Sequence, residues 1–155
     1  MPPAVSTPAP TVRFASGLRP VNPAGWPQPK GYANGMTGRG RLVFVAGQIG
    51  WTADQTFATD DFAGQFEQAL RNSVAVLEAA GARPEHIARM TWYVTDKREY
   101  LACLPEIGRC WRQIIGRHFP AMALVQVVAL VEDRAKIEIE TTALVPDEDE
   151  RAAPG

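Results

Sequence analysis

Two cysteines in 155 residues, Cys103 and Cys110, are too few to staple a fold. They lie seven positions apart in a stretch with helical spacing. At ~1.5 Å rise per residue that is roughly 10 Å, beyond the ~7 Å reach of a disulfide. The two histidines, His86 and His118, have no metal-ligand spacing around them, and there is no CxxC. No apolar run approaches the ~18 residues of a membrane span. The N-terminus has neither a basic start nor an apolar core of signal-peptide type. An excess of one charge is missing too: 16 Lys and Arg against 17 Asp and Glu leave a net charge of −1. A protein that tracks phosphate backbones needs clustered cations. Here they are scattered, with short groupings such as Arg39/Arg41 and Arg109/Arg112 that read as solvated surface. These absences exclude a disulfide scaffold, a zinc module, a membrane-spanning helix and a nucleic-acid groove. Reduced cytoplasm is the default expectation.

What is present is an ordinary apolar fraction, 46%, in a chain long enough for one domain with a real core. Eight of the 13 prolines precede residue 30, so residues 1–28 read as a Pro-rich flexible arm. Residues 146–155, "PDEDERAAPG", read as an acidic tail with nothing to bury. Between them, 29–145 alternate in period. "RLVFVAG" is a β-branched run closed by glycine, hence a buried strand. "DDFAGQFEQALRNSVAVLEAAG" repeats Phe62, Phe66, Leu70, Val74 and Leu77 at helical spacing, with acids at its start and Gly81 for its C-cap. "IARMTWYVTD" is a second strand. "KREYLACLPEIGRCWRQIIG" is a second helix, divided or kinked by Pro105. "HFPAMALVQVVAL" and "AKIEIETTALV" supply two more strands.

The order of elements predicts an α/β fold, a mixed sheet with two helices packed on one face. In residues 118–130 one alternate set is small (Ala121, Ala123, Val125) and the other bulky (Met122, Leu124, Gln126). Pairing the apolar sides of the last two strands with the helices puts Met122, Leu124, Gln126 and Glu138 together on the open face. That face is too apolar for plain solvent and predicts self-association. Taking "VEDRA" as a hairpin turn sets residue 130 opposite 138. Met122 and Glu138 are then on the order of 26 Å apart in one chain, so a site using both needs two chains. On its own Glu138 reads as a solvated or interfacial charge. At a partly buried interface it is a carboxylate able to activate water or shuttle a proton.

"GYANG", "RLVFVAGQIG", "QFEQALRNSVAVLEAAGA", "ARMTWYVTD", "RHFPA" and "KIEIETTAL", in this order and spacing, resemble the RidA family, also called YjgF or enamine/imine deaminase, from about Pro29 to Val145. The resemblance implies a chorismate-mutase-like protomer and a homotrimer with three inter-subunit clefts. It implies hydrolysis of reactive enamines and imines to ketoacids and ammonia, with no metal and no cofactor. It also implies an arginine after the Pro-Ala pair clamping the substrate carboxylate, and a last-strand glutamate handling proton and water.

Against that pattern Tyr32 and Glu138 match, Glu138 as the acid/base and Tyr32 as a wall of the site or a hydrogen bond to substrate. Four positions depart. Met122 stands where the arginine belongs, Ala46 replaces a serine, Leu124 a cysteine, and Gly108 falls where asparagine is common. Losing the arginine removes an interaction typically worth ~1.5–3 kcal/mol for a carboxylate. The expectation is atypical specificity, for something larger, more apolar or aromatic-derived, with Trp51 either a further wall or a side chain packed against the loop that follows it. Arg117 and His118 are weighed as replacement charges but read as surface. The alternative is a trimeric small-molecule binding or regulatory protein with reduced chemistry. A ribonuclease reading ranks last, since no basic stripe offers RNA a groove. The implied partners are further copies of the chain and a small molecule, with no nucleic acid and no membrane.

Overall fold

A computed structural model describes residues 17–147. The flexible arm expected over residues 1–28 and the acidic tail expected over 146–155 therefore lie mostly outside the described residues. Two short strands, β1 (Arg19–Val21) and β2 (Gly35–Thr37), pair antiparallel. Part of the proline-rich lead-in is thus strand: Pro20 sits in a three-residue strand with a single partner, where a missing N–H is tolerated.

The main sheet holds β3 (Arg41–Ile49), β4 (Ile87–Val94), β5 (Ala121–Gln126) and β6 (Ile137–Val145) in the order β3-β6-β4-β5. β6 runs antiparallel to both neighbours, and β4 and β5 are parallel. The helices are α1 (Phe62–Ala79), α2 (Lys97–Ala102) and α3 (Leu104–Ile114). α1 starts because the Asp61 carboxylate accepts the Gly64 N–H at 2.9 Å. It stops at Gly81, whose φ of +76° suits glycine. There the Gly81 and Ala82 N–H groups return to the Glu78 and Leu77 carbonyls, the double bond of a Schellman end. Pro105 opens α3 and breaks it from α2, as its missing donor predicts.

The core lies between the sheet and α1. Phe66, Leu70 and Leu77 are wholly buried against Met90, Val94, Ile137 and Ile139. Each such side chain is worth about 1.5–3 kcal/mol of burial. Trp92 stands edge-on to Phe66, ring centroids 4.9 Å apart, and tilts onto Trp111 of α3 at 5.8 Å. Both cysteines are free. No helix among the described residues is long and apolar enough to cross a membrane.

Three expectations about the last strands fail. β5 and β6 are not a hairpin, because β4 lies between them. The "VEDRA" turn exists, with Ala135 N–H donating to the Glu132 carbonyl, but it carries the chain past β4. β5 ends at Gln126, and Val128, read as strand, is fully exposed at 106%. The face assignment of β5 is also reversed. Met122 pairs with Met90 and Leu124 with Trp92, whose side chains belong to the helix-side core. Ala121, Ala123 and Val125 therefore share the open face with Glu138 and Glu140. The physical reason is that β5 is an edge strand. It takes its facing from buried β4, and its bulky set lies half-buried under α3 rather than in the centre.

Candidate functional site

Four of the sequence-predicted residues come together. Tyr32, Gly108, Met122 and Leu124 line one cavity of about 780 Å³ between the sheet edge, α3 and the loop around Gly31. The loop is held by the Ala33 N–H, which donates to the Pro120 carbonyl at 2.9 Å, and by a parallel bridge from Ala33 to Ala121. That seats Tyr32 beside the start of β5. Met122 and Leu124 contribute apolar surface from β5, and Trp92, Tyr100 and Trp111 supply aromatic walls. The Trp111 indole N–H donates to the His118 carbonyl at 3.1 Å, fixing the turn that carries Arg117 and Phe119 into the lining. His118 itself is occupied elsewhere, its Nε2 2.6 Å from the Ile87 carbonyl oxygen. Burial, with the Cys103 thiol second, pushes the Tyr100 phenol above its ordinary pKa, so it stays neutral. The Trp92 indole nitrogen is buried without a hydrogen-bond partner among the described residues.

Three cations also line this cavity, Lys30, Arg112 and Arg117, and among the described residues no acid does. Arg117 was weighed from the sequence and assigned to the surface; it is exposed, but it reaches the cavity. Arg112, expected at the solvated surface, lies in the lining, and Lys30 joins it from a loop with no sequence signal of its own. The signal for Arg112 was available, since it stands four residues after Gly108, one helical turn along the same face.

Glu138 is not in this cavity. It lines a second, smaller cleft of about 340 Å³ with Gly47, Gln48, Trp51, Asn72 and Glu132. Its carboxylate lies so close to Gly47 that a Cβ there would run into it. Gly47 belongs to the bulged part of β3, where the register with β6 shifts between Val45 and Gln48. Trp51 packs edge-on against Phe57 at 6.2 Å and has its backbone carbonyl tied to Asn72 at 2.7 Å. It belongs with Glu138, not with Met122. Ala46 sits exposed on the same bulge and lines neither cavity. The predicted set is therefore split, Tyr32, Gly108, Met122 and Leu124 on one side of the sheet and Glu138 on the other.

No group of three or more His, Cys, Asp or Glu among the described residues is arranged to hold a metal ion. The open sheet face that carries Glu138 also carries Leu42, Phe44 and Val125, all exposed, with Phe44 at 74%. On the same face the Tyr93 hydroxyl donates to Glu140 at 2.7 Å.

The sequence model described as Endoribonuclease L-PSP matches residues 27–145. The chain belongs to that family, the RidA or YjgF family. A 2-iminobutanoate/2-iminopropanoate deaminase of Salmonella typhimurium is 31% identical over 108 residues, covering 68% of this chain and 80% of that protein. Among solved structures, YyfB of Yersinia pestis, a Rid protein of unknown function, superposes with a TM-score of 0.73 at 30% identity, covering 83% of this chain and 99% of that one. Escherichia coli TdcF with bound serine superposes with a TM-score of 0.62 at 26% identity, covering 86% and 96%. The RidA protomer fold expected from the motifs is thus the fold observed.

Proposed function

We propose that this RidA-family chain is an imine/enamine deaminase whose clefts form between the subunits of a homotrimer. The single observation that carries the reading is the clustering of Tyr32, Gly108, Met122 and Leu124 in one cavity while Glu138 faces away from it. The relatives named as 2-iminobutanoate/2-iminopropanoate deaminases support the reaction class. Exposed Leu42, Phe44 and Val125 support an assembled sheet face, because a monomer gains nothing from leaving them in water. In such an assembly Glu138 of one subunit completes the cavity of its neighbour.

The chemistry asked of the chain is modest. An imine carbon is attacked by water and the C=N bond is replaced by C=O, so imine plus water becomes ketone plus ammonia. Glu138 accepts the proton of the attacking water and returns one to the departing nitrogen. For an enamine, the same carboxylate delivers a proton to carbon first. Met122 offers a small carboxylated imine no charge, so specificity shifts towards larger, more apolar substrates.

Ammonia release from freshly generated imines tests this, with 2-iminopropanoate and bulkier aromatic imines run beside Glu138→Gln. Acceleration over the spontaneous rate that is lost in the variant is expected. No acceleration from folded, assembled protein across that panel would overturn the reading and leave a binding protein of the same fold.

A further inference from the structure

Gly108 leaves a gap in the cavity wall, and one side chain lies over it. Beyond its chain neighbours and its own helix backbone, the one atom among the described residues within 4 Å of where a Cβ on Gly108 would stand is Nη1 of Arg112, at 3.3 Å. Residue 108 is half-buried in α3, so its missing side chain costs the helix stability and opens the wall to the guanidinium one turn later.

Arg112 is also unspent. Arg71, Arg83, Arg98, Arg134 and Lys136 each hold a carboxylate within 3.0 Å. Arg112 has no ion pair or hydrogen bond among the described residues, and neither do its fellow lining cations Lys30 and Arg117. Three cations without an ion pair among the described residues outnumber the one carboxylate, Glu138, that a neighbouring subunit would add, and leave a field that selects anions. Of the three, Arg112 has the geometry of a clamp. It projects from a helix, whereas Lys30 and Arg117 stand on the loops beside Gly31 and Gly116, both at positive φ. Its planar fork matches a carboxylate at two points, which a lysine ammonium cannot do.

We infer that the cavity binds a carboxylate carrying an aromatic or bulky apolar body, and that Arg112, lying over Gly108, holds the carboxylate. The body lies against Trp92, Trp111 and Met122, and the cavity is far larger than a three-carbon acid requires. The inference deepens the deaminase reading by naming the substrate class, since bulky 2-imino acids would enter by this grip. It does not need turnover.

The test is equilibrium binding to the assembled full chain, followed by calorimetry or by quenching of the cavity tryptophans. The probes are phenylpyruvate, 3-phenylpropanoate, its neutral amide and pyruvate. The two aryl carboxylates are expected to bind, with the amide and pyruvate each at least ~10-fold weaker. Arg112→Gln should weaken both aryl carboxylates ~10-fold or more while leaving the amide unchanged, and Arg112→Lys should recover part of the loss. Arg109→Gln removes the same charge from the same helix outside the cavity and should shift affinity less than ~3-fold. Gly108→Ala keeps every charge but crowds the guanidinium, and should weaken the carboxylates alone. Arg112 is exposed and unpartnered, so its variants should fold normally. The inference falls if the aryl carboxylates do not bind, if Arg112→Gln leaves them unchanged, or if Arg109→Gln has the same effect. If ammonia release fails on every imine while Arg112-dependent binding persists, the deaminase reading falls and this inference stands. Deaminase activity indifferent to Arg112→Gln gives the converse.

Discussion

Met122 and Glu138 lie on opposite faces of one sheet, two strands apart with β4 between them. Met122 is level with Met90 on the helix side, and Glu138 is level with Tyr93 on the open side. No side-chain movement brings them into one pocket within a chain, because strand side chains alternate faces and the sheet is a wall. A site using both must be assembled from two copies. Complementation follows. Glu138→Gln and Gly108→Trp, which fills the other half, should each be inactive alone. Trimers co-expressed from both should recover about one intact cleft in four, because wild-type halves meet at random around the ring. Ammonia release from the mixed trimers measures this, and no recovery would mean that the cavity and Glu138 do not serve one site.

Restoring a charge to β5 should restore the small substrate. Met122 is half-buried at the cavity, so Met122→Arg has room to reach a carboxylate there. A charge-assisted contact of ~1.5–3 kcal/mol corresponds to a rise of roughly 10- to 100-fold in kcat/KM on 2-iminopropanoate. Bulky substrates should lose activity as the cavity shrinks. Steady-state kinetics with both substrates checks the crossover, which a purely structural role for Met122 would not produce.

Which parts of this were readable in advance follows from the physics of each signal. Asp61, Gly81 and Pro105 act locally, so cap, stop and break could be read without knowing what surrounds them. Four main strands and a mixed sheet followed from the same alternation of period. The facing of β5 did not, because both of its alternate sets are apolar. Pattern alone cannot say which set faces the helices when Ala121, Ala123 and Val125 compete with Met122 and Leu124. Parallel pairing with β4 decides it, and that is a long-range fact. The i+4 spacing from Gly108 put Arg112 on the same helix face, but what that face covers was not in the pattern. A cation near the end of an amphipathic helix reads as solvent-facing until the helix is known to roof a cavity.

Phe44 provides the test of assembly. It is 74% exposed on the open sheet face, and Leu42 beside it is also exposed. Phe44→Glu places a charge where an interface would have to desolvate it, so the oligomer should dissociate to monomer. The fold should survive, because Phe44 makes no part of the helix-side core. Sedimentation or light scattering gives the mass, and circular dichroism gives the fold. A monomeric wild type, or a variant still trimeric, would remove the support for an inter-subunit site.

Tyr100 gives the alkaline behaviour a sign. It lies at the cavity and is partly buried, and loss of solvation holds its phenol above the ordinary value of 10.0. A group whose folded pKa exceeds its unfolded value contributes stability that is whole below the unfolded pKa. That contribution is lost as pH rises through the folded one. Wild type and Tyr100→Phe should therefore respond alike to urea up to about pH 9, the variant carrying no ionisable group at this position. Above about pH 10 the unfolded wild type gains a tyrosinate that the folded state resists, so the wild type should lose stability faster. Tyr93, raised chiefly by its hydrogen bond to Glu140, remains in both proteins, so the difference between them isolates residue 100. Absorbance at the tyrosinate band should show a late-titrating phenol in the wild type that is missing from Tyr100→Phe. Identical alkaline profiles would mean that the cavity is wetter around Tyr100 than its packing against Phe62 and Trp92 implies.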